Sequence, residues 1–360
     1  MRDSLAPRFL VMGCGAIGGV LTESLAAKGY DVTACTTNAA IHARIAECGL
    51  TVLGHGMGKR ASRTARAVVV LGAPAAPTEP ASMFDYVLLA TQPPQVEQAA
   101  ASAFASLKDD GAMICLQNGL CEERVAKIVG EHRVIGGVVG WGATMPEPGV
   151  YECTAPGGFT LGQISDALLD ARHNRLVRAL EAVGPVEVTR NLRGKRWSKL
   201  AINCAISSLG TLGGDRLGVL MQHRIVRRLG LQIMTEVVEV ARNEGVELEK
   251  VSGTIDLPWV ALTEREKLSN TLSLVAKHAL LLAVGFRFRR MKSSMLSAIE
   301  RGRTPAVDFL NGEVVTRARA AGIRVPANTV VRDAVWDIAK GRKRAGLGLL
   351  REVYALSSQG

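Results

Sequence analysis

The sequence has few aromatic residues and no long uninterrupted apolar segment. Aromatic residues make up 4% of the 360 residues, too few for the stacking platforms of many nucleic-acid-binding proteins. The longest apolar stretch runs from Leu272 to Phe286, which is shorter than the roughly 20 residues of a membrane-spanning helix. Lys277 and His278 interrupt it. With no apolar signal segment near the N-terminus, we expect a cytoplasmic protein that binds neither membrane nor nucleic acid.

The cysteines lack the spacing of a metal site or a disulfide framework. Seven cysteines are scattered along the chain, and none forms a C-x-x-C pair. Closely spaced pairs are typical of zinc sites, and an even number at regular spacing is typical of small disulfide-rich proteins. We therefore expect reduced thiols and no metal.

Positive charge is in excess. The 44 lysines and arginines outnumber the 33 acidic residues, which gives a formal net charge of +11. Such an excess favours an anionic partner, from nucleic acid to a phosphate-bearing cofactor or an anionic substrate. The basic residues are spread over many predicted helices, mostly in the second half, and no helix-turn-helix, zinc or RNP-type motif accompanies them. We therefore favour a small anionic ligand.

Strand and helix patterns alternate in the first half of the chain, whereas helical patterns dominate from about Lys195 onward. Apolar strand runs occupy residues 8–12, 31–35, 68–71, 86–90, 113–116, 134–139, 150–154, 159–162 and 186–189. Helical runs in the second half occupy residues 225–243, 264–286, 292–301, 308–321 and 329–340. Continuous apolar strands alternating with helices predict a parallel sheet covered on both faces. The prediction is an α/β Rossmann-type domain over residues 1–192, followed by an all-α domain over residues 193–360.

The first strand ends in a glycine-rich loop that opens a helix. A G-x-G-x-x-G loop in this position is typical of dinucleotide-binding domains. Gly13 would make the tight turn, Gly15 would let the backbone approach a pyrophosphate, and Gly18 would let the helix pack against the strand. The residues predicted to contact the dinucleotide are Gly13, Cys14, Gly15, Ala16, Ile17 and Gly18. The alternative is a glycine turn that binds nothing.

The end of the second predicted strand carries no carboxylate. An acidic residue there binds the ribose 2′-hydroxyl of NAD, whereas neutral or basic residues leave room for the 2′-phosphate of NADP. Thr36, Thr37 and Asn38 follow Cys35, and Asp31 lies at the opposite end of the strand. This pattern favours NADP, with NADPH as the hydride donor, and leaves NAD possible.

Six segments, in the same order along the chain, resemble the ketopantoate reductase family (2-dehydropantoate 2-reductases). They are GCGAIGG from Gly13, LQNGL around Asn118, WSKLAINC from Trp197, KSSML from Lys292, DFLNG from Asp308 and GIRVPANT from Gly322. Members of this family reduce a 2-keto acid with NADPH, and their Rossmann domain precedes a helical domain like that of 6-phosphogluconate dehydrogenase. The resemblance implies a divergent member with this fold, a carbonyl substrate and a homodimeric state.

The resemblance also implies a set of site residues. Lys199 falls on the family's catalytic lysine, Asn203 on an asparagine one helical turn later, and Asn118 on the asparagine near the nicotinamide. Ser294 matches the substrate-binding serine, and Gln95 matches a cofactor glutamine. Hydride delivery to a ketone leaves negative charge on oxygen, which an ammonium group can stabilise and protonate. The spacing of Lys199 and Asn203 places both on one helix face. An exposed helix lysine and an ordinary helix serine are the alternatives for Lys199 and Ser294.

Four positions depart from the family. Ala306 stands where the family commonly has the glutamate of a Thr-Glu-x-Asp run. Thr37 replaces an arginine for the 2′-phosphate, and Gln92 replaces a lysine that contacts the cofactor. Ser207 replaces a second asparagine of the lysine helix.

The missing glutamate indicates a substrate other than ketopantoate. Asp308 and Glu300 flank Ala306 and are candidates to supply a substrate-binding carboxylate. Residues 251–292 also look longer than in the family's shorter members, which could reshape the substrate pocket or build a subunit interface. Two other interpretations stay open: an opine- or imine-type enzyme that acts on C–N bonds, and a catalytically weak NADP-binding sensor.

Overall fold

The computed structural model describes residues 6–54, 62–74, 79, 83–165, 167–250, 255–269 and 271–358. The chain divides into two compact units. The first consists of Met1–Gln117 and Cys121–Leu192, and the second of Asn118–Leu120 and Arg193–Gly360. Each unit has its own hydrophobic core.

The first unit is built on strands that form two sheets. In chain order its described strands are β1 (Phe9–Met12), β2 (Val32–Thr36), β3 (Leu50–Leu53), β4 (Ser62–Ala65), β5 (Val68–Leu71), β6 (Phe84–Leu89), β7 (Leu107–Cys115), β8 (Val134–Val139), β9 (Gly142–Glu147), β10 (Val150–Ala155), β11 (Phe159–Gln163) and β12 (Val186–Val188). Its described α-helices are α1 (Ala16–Ala27), α2 (Ala39–Cys48), α3 (Val96–Phe104), α4 (Glu122–Val129) and α5 (Asn174–Leu180).

The larger sheet has eight strands in the order β12-β11-β8-β7-β6-β1-β2-β5. Neighbouring strands are parallel except β8 and β11. Its central strands are apolar because both faces are buried: every residue of β1, β6 and β8 is buried. Phe9 and Val11 share a core with α1 and α5. This architecture, with the helical second unit, confirms the predicted α/β fold class.

The four-stranded sheet, in the order β4-β3-β10-β9, is a feature that the sequence patterns did not reveal. Strands β3, β4 and β9 were not predicted, and the predicted strand over residues 150–154 belongs here as β10 instead of extending the parallel sheet. These strands alternate between more and less buried residues, as in Leu50–Leu53 and Ser62–Ala65. The sheet packs against α1.

The second unit contains only helices among its described elements. The α-helices are α6 (Leu192–Gly213), α7 (Leu217–Leu220), α8 (Arg224–Asn243), α9 (Leu257–Val260), α10 (Glu264–Leu268), α11 (Leu272–Arg287), α12 (Ser294–Glu300), α13 (Asn311–Ala320), α14 (Pro326–Ala339) and α15 (Leu347–Ser357). Helix α8 packs against α9, α11, α13, α14 and α15. Within the described ranges, no helix combines the length and apolar composition needed to cross a membrane.

The single helix predicted over residues 264–286 is wrong, because the chain forms two helices there. Ser269 is extended, and the Thr271 side chain accepts a hydrogen bond from Leu274 N, which makes Thr271 the N-cap of α11. A hydroxyl at this position accepts a hydrogen bond from a backbone N–H of the first turn, which has no acceptor within the helix itself. The helix predicted over residues 308–321 is also shorter, since Ala306–Phe309 forms a 3₁₀ turn before α13. Of residues 251–292, which the sequence suggested to be longer than in the family's shorter members, residues 251–254 and 270 lie outside the described residues.

Candidate active site

The glycine-rich loop lies at the point where the strand order of the larger sheet reverses. From β1 the chain builds outward through β2 to β5 and then returns to β6 on the other side of β1. Ligands of open α/β sheets bind at the carboxyl ends of the strands beside such a point. Gly13 follows β1 with φ +104°, and a Cβ there would lie 3.1–3.2 Å from the backbone of Ala90 and Thr91. Only glycine fits this turn without strain.

The next two glycines of the loop have different surroundings. A Cβ on Gly15 would meet no atom of the described chain within 4 Å, whereas a Cβ on Gly18 would lie 1.8 Å from the Gly13 carbonyl oxygen. Gly15 is the N-cap of α1, and no side chain caps the helix. The first turn of α1, which begins with Ala16 and Ile17, therefore keeps its backbone donors and the positive end of its dipole for an anion. The loop fits the pyrophosphate of a dinucleotide.

Cys14 is fixed by its backbone and has no reactive thiol. Its carbonyl oxygen accepts a hydrogen bond from the Tyr151 hydroxyl at 3.1 Å. Burial raises the pKa of the Cys14 thiol to about 12, so the thiolate is absent at neutral pH. We conclude that Cys14 contributes to the loop through its backbone and not through its thiol.

The carboxyl end of β2 presents hydroxyl and amide groups. The buried Thr36 accepts a hydrogen bond from Asn38 N at 3.2 Å, and Asn38 in turn caps α2 by accepting from the backbone of Ala40 and Ile41. Thr37, between them, is exposed. Asp31 lies at the other end of β2 and pairs with Arg8 at 2.6 Å.

Three glutamines follow the neighbouring strands. Gln92 and Gln95 are exposed after β6, where Gln92 precedes a 3₁₀ turn and Gln95 precedes α3. Gln117 is buried after β7, and its amide nitrogen donates to the Leu89 carbonyl oxygen at 2.9 Å. Gln117 thus ties the loop after β7 to the last residue of β6, whereas Gln92 and Gln95 are exposed to solvent.

In the second unit, Lys199 and Asn203 lie on α6, one turn apart, and both are half-buried. The side-chain nitrogen of Asn203 is buried and has no hydrogen-bond partner among the described residues. A buried donor without a partner costs about 1–3 kcal/mol. The Asn203 amide is therefore a donor that a ligand beside Lys199 would satisfy.

A buried polar network holds α6 directly after Asn203. The Asn311 side chain donates to the Cys204 carbonyl oxygen at 3.3 Å and to Asn328 Oδ1 at 2.9 Å, and accepts from the Ser208 hydroxyl at 2.6 Å. Asn328 donates to Glu236 at 2.7 Å. Both asparagines are fully buried.

Glu236 completes this network at the N-terminus of α14. Its carboxylate accepts from the backbone of Ala327 and Asn328 at 2.8 and 2.9 Å. Burial raises the pKa of Glu236 to about 7, and the N–H donors oppose that shift. Sequence reasoning missed these positioning residues. The signal was present, because Asn311 and Asn328 lie in the DFLNG and GIRVPANT segments.

The predicted substrate serine, Ser294, is exposed at the start of α12, and its neighbour Ser293 positions it. The buried Ser293 caps α12, donates to the Ser207 carbonyl oxygen at 2.9 Å and lies 2.8 Å from the Thr211 hydroxyl. Ser207 and Thr211 are on α6. Ser294 is thereby anchored to the helix that carries Lys199.

The two acidic neighbours of Ala306 have different surroundings. Asp308 accepts from the Arg332 guanidinium at 2.7 Å and from the Trp336 indole at 3.1 Å, so both carboxylate oxygens are engaged. Glu300 is exposed at the end of α12.

The loop that contains Asn118 belongs to the second unit, like Lys199. Asn118 is exposed, and the following Gly119 has φ +96°. A Cβ on Gly119 would lie 2.6 Å from the Phe309 carbonyl oxygen. Leu120 is buried in the core of the second unit. Asn118 is thus an exposed amide on a tightly packed turn.

Comparison with known proteins identifies the family. The model of the family described as ketopantoate reductase PanE/ApbA matches residues 9–166, and the model of its C-terminal domain matches residues 191–339. The chain belongs to the ketopantoate reductase family. As a member of this ketopantoate reductase family, the protein is an oxidoreductase that uses a nicotinamide cofactor to reduce a keto group.

Individual proteins are similar to this one over almost the whole chain. A 2-dehydropantoate 2-reductase of Pyrococcus horikoshii is 25% identical over 347 residues, which cover 95% of this chain and 99% of that protein. The structure of a ketopantoate reductase from Ralstonia eutropha has a TM-score of 0.75 at 24% identity, covering 94% of this chain and all of that chain. D-mandelate dehydrogenase with NADH and anilino(oxo)acetate has a TM-score of 0.76 at 20% identity, covering 93% and 99%. The family favours a carbonyl reductase over the opine-type and sensor interpretations.

Proposed function

We propose that this protein transfers hydride from NADPH to the carbonyl carbon of a small 2-keto acid other than ketopantoate. Lys199 acts as the general acid, and Asn203 donates a hydrogen bond to the carbonyl oxygen. Asn118 orients the nicotinamide, and Ser294 holds the substrate's carboxylate or a hydroxyl. When bound, the cofactor supplies the hydride.

The buried amide nitrogen of Asn203, which has no hydrogen-bond partner in the described part of the chain, carries this proposal. It lies one turn from Lys199 on the same face of α6. As hydride reaches the carbonyl carbon, negative charge develops on the oxygen. An ammonium group and a fixed amide donor stabilise that charge more than they stabilise the neutral ketone, which lowers the barrier. The proton from Lys199 then completes the hydroxyl group.

Residues Thr36 to Asn38 support the preference for NADPH. They place hydroxyls, an amide and no carboxylate at the carboxyl end of β2, so nothing there repels a 2′-phosphate. Because Thr37 supplies no positive charge, we expect a modest preference over NADH. Thr37→Arg should increase the preference for NADPH, measured as the ratio of kcat/KM for the two cofactors.

The surroundings of Ala306 support a substrate other than ketopantoate. Ala306 brings no carboxylate, and Asp308 is engaged by Arg332 and Trp336. A substrate hydroxyl that a glutamate would otherwise bind has no acidic acceptor at this position. We therefore expect keto acids without that hydroxyl to be preferred.

A spectrophotometric screen tests the reaction. NADPH and NADH oxidation is followed with a panel of aliphatic and aromatic 2-keto acids, including ketopantoate, each with and without added amines. Lys199→Ala should lower kcat about 10²-fold or more, the usual contribution of a general acid. Lys127→Ala, at an exposed position of α4, is the control and should retain full activity.

Three results would contradict the proposal. Efficient ketopantoate turnover would exclude a different substrate, and activity that requires an amine would favour C–N chemistry. Unchanged activity of Lys199→Ala would remove its role as the acid.

We also propose that the protein is a homodimer. Apolar side chains at helical spacing are exposed along α11, namely Leu272, Val275, Leu282 and Phe286. An apolar stripe of this kind is costly in water and favours association. Light scattering after size exclusion should give twice the chain mass, and Phe286→Lys should shift it to the chain mass. A monomeric wild-type protein would contradict this proposal.

A further inference from the structure

The helical unit contains a polar cavity that the proposed reaction does not use. It has a volume of about 280 Å³ and is bounded by α8, α10, α11 and α15. Arg224, Arg228, Lys267 and His278 are among its lining residues. Small-molecule pockets commonly span about 300–1,000 Å³, so this cavity suits a compact ligand and not a dinucleotide.

His278 is an unpartnered polar side chain at this cavity. It is 9% exposed, and within the described part of the chain neither ring nitrogen has a hydrogen-bond partner. Burial and the nearby guanidinium groups of Arg227, Arg224 and Arg228 lower the pKa of His278 to about 4. The imidazole is therefore neutral at physiological pH, with one N–H donor and one acceptor nitrogen to satisfy.

Arg228 brings a charge to the cavity that no described carboxylate neutralises. Its Nη2 donates to the backbone carbonyl oxygens of Glu266 and Lys267 at 2.8 and 2.9 Å. These contacts fix the guanidinium without compensating its charge. Its Nη1 is buried and lacks a partner within the described ranges. The Arg228 guanidinium is thus held in place, and its Nη1 can still donate a hydrogen bond to a ligand.

Three carboxylates of the described chain in this region, those of Glu239, Glu264 and Glu266, are engaged with lysines. Glu266 accepts from Lys277 Nζ at 2.6 Å, and both side chains are almost fully buried. Lys267 pairs with Glu239 and Glu264 at 3.0 and 2.8 Å. The guanidinium of Arg228 therefore keeps a positive charge beside the cavity, which favours an anion.

We propose that this cavity binds a small phosphorylated molecule, with Arg224 and Arg228 at the phosphoryl oxygens and His278 completing the site. A tetrahedral phosphoryl group can meet two guanidinium groups and an imidazole at once, and guanidinium donors match phosphate oxygens in pairs. The neutral imidazole of His278 can donate its N–H to a third phosphoryl oxygen. The ring reaches the ligand by turning about its Cβ–Cγ bond, a soft rotation.

Calorimetric titration with glycerol 3-phosphate tests the site in the full-length protein at pH 7.5 and low salt. Glycerol is the ligand control, and the titration is repeated with excess NADPH to fill the glycine-rich loop. Arg224→Gln should weaken binding about tenfold or more, as expected for a charge-assisted contact. Arg242→Gln, at an exposed position near the other end of α8, removes the same charge and should leave binding within about twofold.

His278→Leu gives a second, independent measurement. It removes two unpartnered nitrogens, so the free protein should melt at a higher temperature while it binds glycerol 3-phosphate more weakly. Binding heats equal to those of glycerol would overturn the proposal. So would competition by NADPH, which would place the phosphate in the loop, or equal weakening by Arg224→Gln and Arg242→Gln.

Discussion

The polar network around Asn311 offers a direct test of what holds the helix that carries Lys199. Asn311→Ala removes three buried hydrogen bonds, to Ser208, Asn328 and the Cys204 carbonyl oxygen. At about 1 kcal/mol net for each bond, the free energy of unfolding should fall by about 3 kcal/mol. Because Cys204 directly follows Asn203, kcat should fall as well, with KM for the cofactor unchanged.

Urea unfolding followed by tryptophan fluorescence measures this loss, since Trp197 on α6 reports on the second unit. The matched control is Ser208→Ala, which removes only one of the three bonds and should cost about 1 kcal/mol. Combined with Asn311→Ala, it should add almost nothing, because the shared bond is already lost. A loss below about 1 kcal/mol for Asn311→Ala, or full additivity of the two variants, would refute the reasoning.

Three further predictions concern other parts of the chain. Gly15→Ala should leave the melting temperature unchanged but weaken NADPH binding. Gly18→Ala should lower the melting temperature, because the added Cβ would clash with the Gly13 carbonyl oxygen. Thermal shift measures the melting temperature, and cofactor fluorescence measures NADPH binding. Burial lowers the pKa of His173 to about 4, so between pH 6.5 and 4 only the unfolded state takes up the proton. The contribution of His173 to stability should therefore fall by about 2 kcal/mol from pH 7 to pH 5. It is measured in urea unfolding as the difference between the wild-type protein and His173→Phe, and the same pH dependence in both proteins would contradict this. Lys277→Met should cost about 3 kcal/mol by leaving the Glu266 charge buried, and adding Glu266→Leu should restore part of that loss in urea unfolding.

The parts of the fold that could be predicted from sequence are those fixed by local patterns. The parallel strands are short apolar runs, and the glycine-rich loop is a continuous motif. Strand β4, in contrast, has the sequence SRTA and is half-exposed. Its structure depends on pairing with β3 across residues 55–61, which a local pattern does not encode. The break at Ser269 was missed because serine and threonine fit the polar face of a helix as well as a cap.

The same distinction applies to the candidate site. The spacing of Lys199 and Asn203 is local, so a helix brings them together. Asn311, Asn328 and Glu236 are joined by hydrogen bonds that span 17 and 92 residues of sequence. No periodicity relates them, and only packing of the helices shows why these polar side chains are buried.

The four-stranded sheet over α1 has a consequence for the thermodynamics of cofactor binding. A Cβ on Gly19 would lie 2.0 Å from the Tyr151 ring, and Glu23, fully buried on α1, pairs with Arg63 of β4 at 2.6 Å. Helix α1, whose N-terminus would face the pyrophosphate, is therefore held in place by side-chain contacts before any ligand binds. Cofactor binding should therefore order little backbone. The entropy loss of forming a phosphate-binding site would then not reduce the affinity for the cofactor. A preformed site of this kind should bind fragments that carry only a pyrophosphate.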